Sequence, residues 1–442
     1  MGIRIGAIAD RLSASLFVVP MLSVIAGAAL GLAMVEVDRI IGDTAADLPF
    51  VLTTTVRGAR EVLGVVASAT ITVAGIAFSI SLLVIQQASA QFSPRVVHSL
   101  FRDPFNRRVM GLSVGTFTYC VMVLRAVRSP LDEGGDAVIP HLSVGLSVVL
   151  GVAAILAIVA FIDHNAHTLE VSEILDRVTN DTIARLQHAW PERRDERQDE
   201  RSAPERIPIG DGHTVTFRRS GWLQQLSSEG LLALVPDGGT VRLESAVGRY
   251  AVEGTPFCTV WPPPDDEEEV AERAAEAARL GPVRTMQQDP SYGVRQLADV
   301  ALIALSPGVN DPTTAQDAIF HLAAVLREAL VRDPPDLVER DDQGRRLLRT
   351  EDHTHETLVQ LAFDEVRRTA AALPNVCIYI LESLHLLDEA LRREGLSERT
   401  AVLRTQADLV LAGAERADLL PEDLAEVRAA FDRRFEPDAT RS

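Results

Sequence analysis

Between Val62 and Arg95 the sequence VLGVVASATITVAGIAFSISLLVIQQASAQFSPR is apolar except for small and polar residues at helical spacing. Counted at 100° per residue, Ser68, Thr72, Gly75, Ser79, Leu82, Gln86, Ser89 and Ser93 stay within roughly 100° of arc. Neutral hydrogen-bonding groups in such a row can do one of two things. Turned inward around a symmetry axis of identical helices, they would face water and pass ions or small solutes. Set against a neighbouring helix, they would let two backbones approach and bond to them. The length of the stripe exceeds the few small positions that one helix crossing needs, so Ser68, Thr72, Gly75, Ser79, Gln86 and Ser89 are expected to line a pore. No acidic or basic side chain lies in the stripe or near the centre of any apolar segment. That disfavours proton-coupled or ion-coupled pumping and leaves a passive path or a non-conducting anchor.

The same helix candidate runs into Gln86, Gln87, Gln91, Phe92, Ser93 and Pro94. Proline restricts the residue before it and lacks a donor, so a break or kink is expected near Ser93. Beyond it, Arg95, Arg102, Arg107 and Arg108 would place positive charge, with Ser93, around a cytoplasmic mouth, and a pore there would prefer anions. The alternative is an ordinary interfacial stop whose arginines set topology.

Two further groups are candidates. In Leu305-Ser306-Pro307-Gly308-Val309-Asn310-Asp311-Pro312-Thr313-Thr314, Asp311 before Pro312 reads as a helix N-cap with proline at the first helical position. Beside that structural role, Ser306, Asn310, Asp311, Thr313 and Thr314 could form a ligand or subunit contact. His164 and His167, beside Asp163, are weak candidates for a metal or pH-sensing pair. Catalysis finds little footing: there is no HExxH, no Gly-x-Ser-x-Gly elbow and no phosphate loop, and all 43 basic residues are Arg. Without lysine, a Walker-type phosphate site, a Schiff base and a biotin or lipoate carrier are excluded. No enzyme activity, cofactor or resident metal is expected. Cys120, Cys258 and Cys377 are too scattered for a metal set or a disulfide framework.

These residues need elements to hold them. Four apolar stretches are about the length that crosses a bilayer: Leu16 to Val35, Val62 to Ile85, Val109 to Val127 and Leu142 to Ile162. The first has Arg4 and Arg11 before it, but lacks a cleavage site and reads as a retained helix. Arg4, Arg11 and the arginines from Arg95 to Arg108 sit on one side, against mixed loops rich in Asp and Glu on the other. Both termini are therefore expected in the cytoplasm, with the spans in the inner (plasma) membrane. After residue 163 the chain becomes acidic and carries most of the net charge of −19. Such a surface argues against nucleic acid as a partner; the expected partners are the lipid bilayer and further copies of the chain.

The expected organisation is a four-helix transmembrane domain over 1–163, a helical stalk and charged linker over 164–207, a small β unit over 208–264 and a mainly helical cytoplasmic domain over 265–442. Alternation in HTVTF, TVRLES and RYAVEGTPFCTVW, with turns at Asp237-Gly238-Gly239 and Val247-Gly248, marks the β unit. Helices are expected over Asp265–Leu280, Val294–Ser306, Asp311–Val331, His355–Leu373, Cys377–Glu394 and Glu398–Phe431. A hairpin over Leu337–Leu348 should turn at Asp341-Asp342-Gln343-Gly344. The fold class is thus a polytopic α-helical membrane protein with a C-terminal cytoplasmic α+β region, a small β unit plus a helical bundle.

Two segments, AGIAFSISLLVIQQASAQFSPRVV (Ala74 to Val97) and VRQLADVALIALSPGVNDPTTAQDA (Val294 to Ala318), resemble the bacterial family known as domain of unknown function 2254, described as predicted membrane proteins. The resemblance extends over nearly the whole chain in the order of spans, strand unit and helical end. It implies a membrane location and this fold, and it assigns no activity. From the residues, the leading expectation is a homo-oligomeric channel lined by the second span, the C-terminal region serving as assembly platform or gate. The alternative is a membrane-anchored sensor or scaffold that does not conduct.

Overall fold

The computed structural model describes residues 18–41, 55–91, 104–127, 140–168, 170–192, 211–349 and 354–436. The chain divides into two compact units, residues 1–170 and 171–442.

The first unit holds α1 (Val18–Ile41), α2 (Val56–Gln91), α3 (Pro104–Ala126) and α4 (His141–Thr168). All four are long and apolar enough to cross a membrane, as the four stretches predict. The second helix starts earlier than its apolar run, at Val56, because the Thr55 hydroxyl accepts the Gly58 amide at 3.2 Å and the Thr55 carbonyl accepts the Ala59 amide at 2.8 Å.

Lipid gives helices no hydrophobic reason to associate, so close backbone contact has to do the work. Here α1 and α3 face each other through two small-residue pairs, Gly27 with Gly31 and Gly111 with Gly115. A Cβ on Gly27 would fall on the Gly115 carbonyl oxygen, and one on Gly111 would lie 2.6 Å from Ser23 Oγ. A second device ties α1 to α4. Asp38 accepts the Leu142 and Ser143 amides, each at 2.9 Å, and the Ser143 hydroxyl at 2.5 Å, which caps α4 from a distant part of the chain. Tyr119 donates its hydroxyl to the Ser143 carbonyl at 2.8 Å. Toward the other end of the bundle, Asn106 and Asn165 exchange amide hydrogen bonds of 3.2 and 3.1 Å. Each contact satisfies a polar group that lipid could not.

The second unit opens with α5 (Val171–Ala189), the expected stalk. It lies along two helices of the same unit, α8 (Ser291–Ala304) and α9 (Pro312–Val331), burying Ile174, Leu175, Val178 and Leu186. The crossing is tight: Gly293 leaves no room for a Cβ beside Thr182. The remaining α-helices are α6 (Ser228–Leu232), α7 (Glu267–Ala277), α10 (His355–Ala370), α11 (Pro374–Arg393), α12 (Ala401–Arg416) and α13 (Pro421–Phe435). The last two replace the single helix expected over Glu398–Phe431. Pro421 lacks an N–H and suits only the first turn of a new helix, so the chain breaks before it.

The strands are β1 (His213–Thr216), β2 (Gly221–Leu226), β3 (Thr240–Leu243), β4 (Tyr250–Ala251), β5 (Pro256–Trp261), β6 (Ala278–Gly281), β7 (Val338–Arg340) and β8 (Arg346–Leu348). They form a five-stranded sheet, β1-β5-β3-β8-β7, and a three-stranded sheet, β4-β2-β6. The expected hairpin is present: Asp341 Oδ1 accepts the Gln343 and Arg345 amides at 3.0 and 2.9 Å, and Gly344 takes φ +73°. Its strand β8 joins β3 in parallel, Thr240 opposite Arg346, so the β unit recruits chain from far beyond residue 264. The acidic helix ends at Ala277 instead of Leu280, because Ala278 to Gly281 pair with β2 as β6. Side chains such as Leu223, Leu231, Val241, Phe257 and Val260 fill the core between them.

Candidate functional site

The second span carries two faces of different chemistry. Ala59, Leu63, Ala67, Thr70, Ala74 and Ala77 step by three or four and are buried against α3 and α4. Small side chains on this face allow close approach, and Thr70 satisfies its hydroxyl on the Val66 carbonyl at 2.8 Å. Roughly 150° away by helical count lies the stripe. Ser68, Thr72, Gly75, Ser79 and Gln86 are all exposed. Thr72 donates to the Ser68 carbonyl at 2.7 Å and Ser79 to the Gly75 carbonyl at 2.9 Å, so the hydroxyl oxygens keep acceptor capacity directed off the helix. A Cβ on Gly75 would meet no atom within 4 Å. Among the described residues the stripe therefore takes no part in packing the helices. The Ser89 side chain lies outside the described residues.

The same row continues toward the start of α2, beyond the expected stripe. Arg57 and Glu61, exposed and paired at 3.1 Å, fall on the stripe about three and two turns before Ser68. With Val56 and Arg60 they surround an open depression at the start of the helix. The signal was legible as a further step of four, but these residues precede the apolar run from which the stripe was counted.

Of the residues expected at the mouth, Ser93, Arg95 and Arg102 lie outside the described residues. Arg107 is buried, whereas Arg108 is exposed. The two do not share a surface role.

The Ser306–Thr314 loop resolves mainly as capping. Asp311 Oδ1 accepts the Thr313 and Thr314 amides, each at 3.1 Å, and Oδ2 accepts the Thr314 hydroxyl at 2.7 Å. Those hydrogen bonds, the Thr314 hydroxyl first, hold its carboxyl below the usual carboxylate range. Ser306 donates to the Ile303 carbonyl at 2.6 Å. Asn310, at φ +49°, and Thr313 remain exposed with Val309 between helices α8 and α9. His164 lies against Phe105 with ring centroids 4.8 Å apart, while the His167 side chain is outside the described residues. Among the described residues no cluster of metal-ligating side chains occurs. The three cysteines are buried and free, and burial pushes the Cys258 thiol up to about 12 and that of Cys377 to about 11.

Helix α8 and the chain just before it carry polar groups absent from the expected sites. Arg295 donates Nε to Asp299 at 2.7 Å and grips both oxygens of Glu365 at 2.6 and 3.0 Å, joining α8 to α10. Asp289, fully buried, is held by Arg284 at 2.6 Å and by the Ser291 hydroxyl at 2.5 Å beneath Gly248, where a side chain would collide. Every charge in this pair of clusters has a partner, which suits a weld between sheet and helices.

Residues 13–385 match the family described as predicted membrane protein, domain of unknown function 2254. An uncharacterized protein of Mycobacterium bovis is 31% identical over 435 residues, covering 97% of this chain and 82% of the relative. An uncharacterized protein of Mycobacterium tuberculosis matches with the same identity and coverage. No solved structure matches.

Proposed function

The chain belongs to this family of predicted membrane proteins, and from that premise we propose that it assembles into a homo-oligomeric channel whose pore is lined by α2. One observation supports the reading: the polar stripe lies on the face of α2 that the described residues of the subunit leave uncovered. In a monomer that face would meet lipid, where hydroxyls and an amide gain nothing. Copies arranged about an axis would turn it toward water. Arg57 and Arg60 outnumber Glu61 among the charges on α2, which favours anions over cations. Both termini lie in the cytoplasm, the membrane is the inner one, and the C-terminal unit is an assembly platform or gate. No enzymatic step, cofactor or nucleic acid enters this reading.

The test is current through a planar bilayer under an asymmetric salt gradient. Gly75→Leu adds bulk where the subunit itself has open space, so the fold should survive while conductance falls. An unchanged conductance removes α2 as the lining, and a reversal potential at the cation limit removes the anion preference.

A second reading, a non-conducting membrane-anchored sensor or scaffold, draws on the C-terminal unit's own core and on its exposed Val309–Asn310 loop. Silence in the bilayer from correctly folded protein would favour it.

A further inference from the structure

The register between β1 and β5 slips once. Val215 stands opposite Cys258 and Thr216 opposite Pro256, which leaves Phe257 with no opposite number on β1. A bulge of this kind re-aims side chains locally. Phe257 and Cys258, consecutive on one strand, are both buried, and the Phe257 ring meets that of Phe217 at 4.8 Å. The backbone holding Phe217 is fixed on both sides: its amide donates to the Thr255 carbonyl at 2.9 Å, and its carbonyl accepts the Gly254 amide at 2.8 Å.

The side chains that meet these rings across a gap are small. Ala275 on α7 and Ala278 at the start of β6 contribute only methyl groups, and with Leu280 they leave a cavity of about 130 Å³. An apolar cavity of roughly 150 Å³ is enough to take up a benzene ring. The rim has a different chemistry, since Thr216, Arg218 and Arg219 line the same cavity and are exposed. Arg218 is matched by Glu268 at 2.6 Å. Arg219 donates Nη2 to the Leu280 carbonyl at 3.0 Å, so a wall of the cavity holds the guanidinium, and it meets no carboxylate among the described residues. A guanidinium has further N–H donors to give a ligand.

We propose that this cavity binds a small aromatic monocarboxylate, with its ring against Phe217 and Phe257 and its carboxylate on Arg219. Two aromatic walls favour an aromatic guest through offset or edge-to-face contact. The guanidinium fork matches a carboxylate, and that charge-assisted pair selects an anion over its neutral isostere. The volume sets the size: it suits a single ring and is too small for a long acyl chain. The site lies wholly within the second unit, so it stands or falls independently of conduction through α2.

The probe is 4-fluorobenzoate, followed by the width of its fluorine NMR line with the full-length protein in neutral detergent; 4-fluorobenzamide is the uncharged isostere. Broadening by wild-type protein should saturate, with the benzoate bound about tenfold more tightly than the amide, as a hydrogen bond to a charged group implies. Ala275→Leu, at an exposed helix position that leucine suits, fills the cavity and should remove saturable broadening of both probes with circular dichroism unchanged. Arg219→Gln should weaken the benzoate about tenfold and leave the amide as it was. Broadening that does not saturate, or that Ala275→Leu leaves unchanged, overturns the site, because the probes are then in the micelle or elsewhere on the chain. Equal affinity for the two probes, or a benzoate indifferent to Arg219→Gln, overturns the carboxylate as the ligand class.

Discussion

The two units close their helices with different chemistry. In the first, α1 and α3 meet through glycine on both sides, Gly27 with Gly31 and Gly111 with Gly115, and polar contacts such as Asp38 with Ser143 satisfy groups that lipid cannot. In the second, helices meet through Leu, Ile and Val, reinforced by Arg–carboxylate pairs such as Arg295 with Glu365. Water supplies a hydrophobic drive to the second unit, whereas in lipid the gain comes from close backbone approach. Small residues therefore mean packing only where something is packed on them. On α1 and α3 they are covered; on the stripe of α2 they are not, and that contrast is what makes the stripe a functional candidate.

The comparison can be broken at its tightest point. Gly27→Leu would drive a side chain into the Gly115 backbone and should cost about 3 kcal/mol or more by overpacking, read as loss of detergent-stable monodisperse protein. Gly75→Leu, with no atom in reach, should leave the same readout unchanged. A smaller effect is expected in the second unit. Gly293→Ala, set against Thr182, should lower stability by about 1–3 kcal/mol, seen as a lower thermal midpoint. Removing the Asp38 cap with Asp38→Ala should cost about 1 kcal/mol and loosen the start of α4, measured by hydrogen exchange at Leu142 and Ser143.

The second unit should also respond to acid in a direction its half-buried histidine fixes. His355 sits against Trp190 with ring centroids 5.6 Å apart, its Nε2 2.9 Å from the Arg332 carbonyl, near Arg399 and Asp333. Burial foremost, with Arg399 assisting, holds its imidazole below the ordinary value of about 6.5. The unfolded chain then binds a proton more readily than the folded one. Its contribution to stability is full above the ordinary value and is lost as pH falls below it, through the lowered folded value. A thermal midpoint that drops between neutral and mildly acidic pH, and drops less in His355→Gln, is the expected outcome. An equal drop in both would place the acid sensitivity elsewhere.

Much of this architecture is legible in the sequence where the signal is local. Apolar length gives the four spans, Asp341 to Gly344 give the hairpin turn, and Asp311-Pro312 gives a helix start. Pro421 is an equally local signal: apolar periodicity runs on through it, and the missing N–H breaks the helix there. What stayed hidden depends on partners distant in the chain. The facing of Gly27 on Gly115, the capping of α4 by Asp38 and the pairing of β8 with β3 each join residues that no window contains. The stripe itself was visible as an arc, but its exposure could be known only once Ala59 to Ala77 were seen to occupy the packed face. Arg107 and Arg108, neighbours in sequence, part company in burial for the same reason.

The most direct measurement is the reaction of single cysteines on α2 with a membrane-impermeant maleimide, in proteoliposomes of a background in which Cys120, Cys258 and Cys377 are replaced. A water-filled path predicts that Thr72→Cys and Ser79→Cys react rapidly and that their modification blocks current, while Ala77→Cys on the packed face stays unreacted. Thr72→Cys and Ser79→Cys as inert as Ala77→Cys would contradict the account, since the stripe would then face lipid or another helix instead of water.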